Sequence, residues 1–213
     1  MTGSLVIAID GPAAAGKGTI ARALAERLDL AYLDSGSLYR AVAHAVLRTG
    51  GDPTSDGDAL FAARNLDAAT IDATAIRTRE VGAAASLVAA KPDVRAALLE
   101  TQRRFAHHPP AGKRGVVMDG RDIGTVVCPE ADVKIFVTAS DEARAYRRWL
   151  ELVADNPALT ETEVLADLRE RDARDRARET APLVRALDAR LLDTTDLSIE
   201  AAIQAALDMV GRR

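Results

Sequence analysis

The sequence predicts an α/β fold, a five-stranded parallel sheet with helices on both faces. Five short runs, at residues 5–9, 30–33, 116–118, 133–137 and 190–193, read as strands. The first, Leu5-Val6-Ile7-Ala8-Ile9, is continuously apolar, as in a strand buried on both faces. Stretches with helical spacing of apolar residues separate these runs, and alternating β and α elements build parallel sheets. The first run also leads into a glycine-rich turn, Gly11-Pro12-Ala13-Ala14-Ala15-Gly16-Lys17-Gly18-Thr19, followed at once by a helical pattern.

The elements follow in order. After Lys17, Ile20, Leu24 and Leu28 recur at helical spacing. Residues 35–47 form a second helix with Leu38, Val42, Ala45 and Val46 on its apolar side. From Gly50 to Gly82 the rhythm breaks: Gly50-Gly51-Asp52-Pro53 and Ser55-Asp56-Gly57 are turn material, and the loose alternation over 71–81 suggests an inserted module with short strands. Pro92 starts another helix carrying Val94, Ala97, Leu98, Thr101 and Phe105. Ser140 caps a helix with Ala143, Tyr146, Trp149 and Val153, which Asn156-Pro157 interrupts. Thr160-Glu161-Thr162-Glu163 is a capping box, and a closing helix over 199–210 stops at Gly211.

At 213 residues, 48% hydrophobic and 28% charged, the chain fits one α/β domain with a sizeable core. Aromatics are only 3%, so Ala, Leu, Val and Ile must fill that core. A net charge of -4 disfavours a dedicated nucleic-acid binder. The single cysteine, Cys128, excludes an intramolecular disulfide and suits a buried thiol in a reducing compartment. Met1-Thr2-Gly3-Ser4 lacks a basic start before a long apolar run, and no apolar run approaches membrane length. A cytoplasmic protein without a membrane partner is expected.

The turn at 11–19 is a phosphate loop in its required strand–loop–helix context. Small residues let backbone N–H groups wrap a phosphate chain, the helix adds the positive end of its dipole, and Lys17 adds a point charge. As a loop residue, Lys17 is expected to be exposed. Gly18 stands where a metal-binding hydroxyl usually follows the lysine, so Mg²⁺ arriving with ATP is expected to be held mostly by water and nucleotide, with Thr19 on a phosphate oxygen. The loop alone leaves two classes open, a small-molecule kinase and a nucleotide-dependent switch. The sequence has no Asn-Lys-x-Asp with which to read guanine.

Further cations sit where open α/β sheets bind ligands. Arg40 follows the second strand in Asp34-Ser35-Gly36-Ser37-Leu38-Tyr39-Arg40, and Arg121 and Asp122 follow the third in Asp119-Gly120-Arg121-Asp122-Ile123-Gly124-Thr125. The helix after Thr160 ends in Arg169-Glu170-Arg171-Asp172-Ala173-Arg174-Asp175-Arg176-Ala177-Arg178, which places Arg171, Asp175 and Arg178 on one face. A solvated helix laced by ion pairs, each worth about 0.2–0.5 kcal/mol, is one reading. A cationic strip that neutralises a moving phosphoryl group is the other. His44 within a helix, and His107 and His108 in a loop, read as structural or solvated.

These motifs together resemble the bacterial cytidylate kinases through nearly the whole chain. The likeness runs through Ile9-Asp10-Gly11-Pro12, Gly16-Lys17-Gly18-Thr19, Leu33-Asp34-Ser35-Gly36 with Tyr39-Arg40, Ala85-Ser86-Leu87-Val88-Ala89 with Val94-Arg95, the Asp119–Thr125 motif, and 171–176 with Ala181-Pro182-Leu183. The resemblance implies a P-loop nucleoside monophosphate kinase core at 1–50, 110–145 and 180–213, an acceptor-binding insert at about 51–90 and a mobile lid at about 146–178. It implies ATP-dependent phosphorylation of CMP and dCMP by a monomer. ATP would bind at 11–19. Ser86, Arg95 and Asp122 would face the cytosine edge, and Arg40 and Arg121 would hold the acceptor phosphate. Ser35 would lie near that phosphate or the sugar, and Asp175 near the sugar hydroxyls. Lys17, Arg121, Arg171 and Arg178 would carry catalysis. Another phosphorylated acceptor, such as AMP or dephospho-coenzyme A, is the alternative. Two departures stand out: a short, alanine-rich insert, and Ala13-Ala14-Ala15 in place of more polar loop residues, expected to matter little. Thr194-Thr195-Asp196 is a candidate edge for the adenine pocket.

Overall fold

The computed structural model describes residues 4–67, 70–154 and 156–211. Met1-Thr2-Gly3, the first three residues of the opening whose sequence lacks a basic start, lie outside them, as do residues 68–69 of the expected insert, 155 of the expected lid and 212–213. The chain divides into two compact units, one of residues 1–33 and 105–213, the other Asp34–Arg104.

The first unit is built on a parallel sheet in the order β2-β3-β1-β4-β5. Its strands are β1 (Leu5–Asp10), β2 (Ala31–Asp34), β3 (Gly115–Gly120), β4 (Val133–Thr138) and β5 (Arg190–Asp193). The central strand β1 pairs with β3 from Leu5↔Gly115 to Asp10↔Gly120, and with β4 from Ile7↔Val133 to Asp10↔Phe136. Because the register keeps Asp10 level with Gly120, the loops that leave β1 and β3 start side by side. Ala8, Ile7, Ile9, Val117 and Met118 are all fully buried, so both faces of the inner strands are covered, as their continuous apolar sequences require.

Helices α1 (Lys17–Arg27) and α8 (Ile199–Gly211) cover one face. Ile20, Ala21 and Leu24 of α1 and Ala202, Ile203, Ala206 and Val210 of α8 form one cluster with Ile7, Ile9, Val117 and Ile135. Small residues at 21, 202 and 206 let the helices lie close to the sheet without aromatic bulk. Helices α6 (Asp141–Leu152) and α7 (Glu161–Ala177) form a hairpin beside the sheet. Ser140 caps α6 by accepting from Ala143 N–H, and the Thr160–Glu163 capping box opens α7, both where the sequence places them.

The second unit holds α2 (Ser35–Arg48), α3 (Asp56–Arg64), α4 (Arg79–Val88) and most of α5 (Pro92–His107). The short strands expected over 71–81 are absent. A single 3₁₀ turn at Ala75–Arg77 and the start of α4 occupy that stretch, and α3 fills part of the segment read as turns. Thr78 caps α4 by accepting from Val81 N–H, and Val81, Ala84, Ala85 and Val88 then bury at helical spacing. That cap outweighs the weak alternation before it. Ser55 caps α3 in the same way. His107 closes α5 rather than lying in a loop.

Leu24 is fully buried in the α1–α8 cluster. Leu24→Ala is expected to destabilise the chain by about 2–5 kcal/mol, read from the shift of its urea midpoint at unchanged slope.

Candidate functional site

The phosphate loop lies between β1 and α1, and its backbone is bent to the limit that its residues allow. Gly11 adopts φ 148, and a Cβ there would be driven into the Val137 carbonyl. Gly16, at φ 86, serves as the N-cap of α1. Ala14 at φ 57 holds a left-handed conformation that costs an alanine energy, a strain that must be supported from outside the loop.

That support comes from three side chains, each bonded to a loop carbonyl. Lys17 Nζ donates to Pro12 O at 2.6 Å, Arg144 Nη1 to Ala13 O at 3.0 Å, and Thr194 Oγ1 to Ala15 O at 3.1 Å. In a trans peptide the next N–H points opposite to the carbonyl, so holding these oxygens fixes the direction of the Ala13, Ala14 and Gly16 N–H groups. The alanine side chains matter as well. Ala13 packs with Ala145, Leu159, Val164 and Leu168 under the α6–α7 hairpin, and Ala15 belongs to the main core. Lys17 is only 5% exposed, so the expectation of an exposed side chain is corrected. Burial, with help from Arg121, pushes its ammonium well below the ordinary lysine range.

The loop after β3 is fastened to the end of β1. Asp10 accepts from the backbone N–H groups of Ile123 and Gly124, each at 2.7 Å. The chain then makes one wide turn, Ile123–Val127, in which Val127 N–H and Cys128 N–H reach back five residues to the Asp122 and Ile123 carbonyls. Such turns cluster at functional sites. Asp122 is buried at the head of this turn. Burial raises the Asp10 carboxyl from 3.8 to about 6, against the lowering effect of its two backbone bonds and with a further raising contribution from Asp122.

Helix α7 supplies two buried acids. Asp175 accepts from Arg121 Nε at 2.9 Å and is also paired with Arg178. Burial opposes its charge, but Arg121, Arg178 and Arg171 hold its carboxyl below the usual range. Burial likewise opposes the Arg121 charge, and Asp175, with Asp172 and Asp119, more than offsets it. Asp172, 1% exposed, pairs with Arg144 at 2.6 Å. The first unit thus brings together residues 11–19, Arg121, Asp122, Arg171, Asp175 and Arg178. Sequence reasoning missed Asp10, Arg144 and Asp172. Asp10 was visible as the acid closing an otherwise apolar strand, but nothing in helical spacing distinguishes Arg144 from the half-buried Arg147 and Arg148 beside it.

The second unit holds Ser35, Arg40, Ser86 and Arg95. Ser35 opens α2 and is 3% exposed. Arg40 Nη1 donates to Ile76 O at 3.0 Å, and Gly82 leaves room for its guanidinium, which a Cβ would meet at 3.3 Å. Arg95 is buried, stacks over the Tyr39 ring at 5.3 Å and donates to Ala89 O. The Ser86 hydroxyl is buried with no hydrogen-bond partner among the described residues, an arrangement that costs about 1–3 kcal/mol unless something else satisfies it.

Two cavities bear on ligands. One of about 450 Å³ in the first unit adjoins the phosphate loop and is lined by Ala14, Gly16, Thr19, Arg147, Thr194 and Ile199. Arg147 is fixed there by bonds to the Thr194 hydroxyl and carbonyl. The larger, about 860 Å³, lies in the second unit against Ala41, His44, Arg48, Phe61 and Asp72, and none of the expected site residues lines it. Of the two, the smaller touches the loop and the larger does not.

The family model described as cytidylate kinase matches residues 7–212. Proteins named cytidylate kinase from Rhodospirillum rubrum, Cereibacter sphaeroides and Paramagnetospirillum magneticum are 57%, 56% and 56% identical to this chain. The alignments cover 98%, 97% and 99% of this chain and 98%, 95% and 99% of those proteins. In fold, a sugar kinase from Janibacter sp. is similar at TM-score 0.51 and 14% identity, over 98% of this chain and 95% of that one. An uncharacterised protein from Eubacterium ventriosum is similar at TM-score 0.55 and 12% identity, over 98% and 99%.

The Asp10 carboxyl gives a test of this geometry. Its folded value lies above the unfolded one, so its contribution to stability is full below 3.8 and is lost as pH rises through about 6. Asp10→Asn removes that titration. The stability of the variant relative to the parent is therefore expected to improve by about 3 kcal/mol between pH 3.5 and pH 8, measured by urea unfolding. A difference that does not change with pH would mean that Asp10 is not a buried carboxylate held by two N–H groups.

Proposed function

The chain belongs to the cytidylate kinase family, and on that premise we propose that it transfers the γ-phosphoryl group of ATP to CMP and dCMP, giving CDP and dCDP. The observation that carries the reading is the phosphate loop, its carbonyls held at Pro12, Ala13 and Ala15, in the same unit as Lys17, Arg121, Arg171 and Arg178. ATP lies with its phosphates on residues 11–19 and its base in the cavity bounded by Arg147 and Thr194. Gly18 stands where a metal-binding hydroxyl usually follows the lysine, so a Mg²⁺ ion arriving with ATP would be held mostly by water and nucleotide oxygens. When bound with ATP the ion would supply charge neutralisation on the phosphates, and Thr19 would hold a phosphate oxygen.

The acceptor phosphate is already anionic at neutral pH, so catalysis requires no strong general base. It requires positioning and charge neutralisation. Arg40 and Arg121 hold the acceptor phosphate. Lys17, Arg171 and Arg178 stabilise charge on the transferring group. Lys17 enters the reaction with its ammonium destabilised by burial, so a polyphosphate that restores its charge gains more there than it would at an exposed lysine. Asp175 orders Arg121 and Arg178 and meets the sugar hydroxyls, with Ser35 near the acceptor phosphate. Asp122, Arg95 and Ser86 read the cytosine edge, and the unsatisfied Ser86 hydroxyl is suited to that task. Residues of about 146–178, the later part of α6 and all of α7, act as the lid, and residues of about 51–90 belong to the acceptor-binding insert. The protein works as a cytoplasmic monomer; among the described residues no helix is long and apolar enough to cross a membrane.

Cytosine presents an N4 amino donor beside an N3 acceptor, and uracil presents the reverse. A carboxylate at Asp122 can only accept and Arg95 can only donate, so uracil leaves buried groups unpaired at about 1–3 kcal/mol each. With ATP and Mg²⁺, an acceptor screen over CMP, dCMP, UMP, AMP and GMP is expected to favour CMP over UMP by at least about tenfold in kcat/KM. Asp122→Ala is expected to lose most CMP activity and to narrow that ratio. No turnover of CMP would sink the assignment, and equal losses on both bases would make Asp122 a loop organiser instead of a reader.

A further inference from the structure

Arg144 is the largest fully buried side chain among the described residues, 1% exposed, yet it lines no cavity noted above and is not among the residues assigned to substrate. Burying a guanidinium costs several kcal/mol unless its donors are met, so its partners show what the cost supports. There are three, on three segments. Nη1 donates to the Ala13 carbonyl of the phosphate loop at 3.0 Å and lies 2.6 Å from Asp172 Oδ2 on α7, and Nη2 bonds Asp141 in the first turn of α6 at 2.5 Å.

On α7, Asp172 and Asp175 are three residues apart and share a face. Each is held by an arginine from outside the helix: Asp172 by Arg144, Asp175 by Arg121 from the loop after β3. Two such ties one turn apart fix both the rotation of α7 about its axis and its approach to the sheet edge. That rotation decides where Arg171 and Arg178 project. On the other side of Arg144, the Ala13 carbonyl is bonded within a peptide whose neighbour, Ala14, is held at φ 57. The Asp172 contact is an ion pair without hydrogen-bond geometry, since neither Asp172 oxygen has a hydrogen-bond partner among the described residues. Arg144 therefore joins one directed bond to the Ala13 carbonyl with an electrostatic tie to α7, through a planar, delocalised charge that a compact ammonium does not reproduce.

We propose that Arg144 is a positioning residue for phosphoryl transfer. It holds the phosphate loop in its strained form and sets α7 so that Arg171 and Arg178 address the same phosphate chain. The inference rests on the reading of residues 11–19 as the ATP site and of Arg171 and Arg178 as groups on the transferring phosphoryl.

The test compares Arg144→Lys with the paired replacement Arg144→Met/Asp172→Leu, which removes both charges and refills their volume. Replacing a buried ion pair by apolar residues is often neutral or stabilising, so the double variant is expected to fold with a melting temperature near that of the parent. For each folded variant, kcat at saturating ATP and CMP and the affinity for ADP by calorimetry are measured. Both variants are expected to lose at least about tenfold in kcat and at least about threefold in ADP affinity, with the lysine form no worse than the double. A folded variant that keeps both quantities within about twofold of the parent overturns the proposal, because a purely structural pair would change only stability. If neither variant folds, Arg144 is a stability determinant and the positioning role is withdrawn. Arg178→Ala separates the two levels: if it retains parental kcat, the underlying reading of α7 fails, whereas loss there with normal Arg144 variants defeats this inference alone.

Discussion

Everything at the carboxyl edge of the sheet depends on one constraint, that charges buried there must be compensated within the first unit. Lys17, Asp10, Asp119, Asp122, Arg144, Asp172 and Asp175 are each less than a tenth exposed. An isolated ion at such depth would cost several kcal/mol. The acids are compensated in more than one way: backbone N–H groups for Asp10, a tyrosine hydroxyl at 2.7 Å for Asp119, a hydrogen-bonded guanidinium for Asp175, and a guanidinium ion pair without hydrogen-bond geometry for Asp172. Because each partner comes from a separate loop or helix, satisfying the charges also fixes how those segments are placed. The acids of α7 serve in effect as counterions that keep arginines concentrated without mutual repulsion driving them apart.

The phosphate loop shows the same economy in neutral groups. Its carbonyls are bonded from α1, α6 and the segment after β5, and its alanines are packed from above by the α6–α7 hairpin and from below by the sheet core. A loop that must present N–H groups to an anion cannot use those groups to stabilise itself. Its stability therefore has to come through the carbonyls and the methyl groups. This accounts for small apolar residues at 13, 14 and 15, where polar side chains would contribute no more to phosphate and would pack less well.

Much of this was legible in the sequence, because strong local signals agree with the fold. The continuous apolar run at 5–9, the loop behind it, the Ser140 cap and the Thr160 capping box each specify an element from a few neighbouring residues, and each stands where expected. The insert was misread because its pattern is weak: Val81, Ala84, Ala85 and Val88 make a helix only once Thr78 stops the preceding turn. The role of Arg144 was illegible for a different reason. Its partners are 131, 3 and 28 positions away, and in a chain with 28 lysines and arginines no local rule picks out the one that goes inside. The Arg121–Asp175 pair, 54 positions apart, could be anticipated only through the likeness of whole motifs.

The claim that buried acids organise the cations is tested most directly by a double-mutant cycle over Arg121 and Asp175. Unfolding free energies of Arg121→Met, Asp175→Leu and the double variant are compared with the parent. Asp175→Leu leaves Arg121 and Arg178 without their shared acid and is expected to cost about 3–5 kcal/mol. Arg121→Met, which leaves Asp175 with Arg178, is expected to cost less, and the double is expected to cost less than the sum by at least about 2 kcal/mol. Additivity within about 0.5 kcal/mol would contradict the account, since the two groups would then be buried independently and neither would hold the other in place.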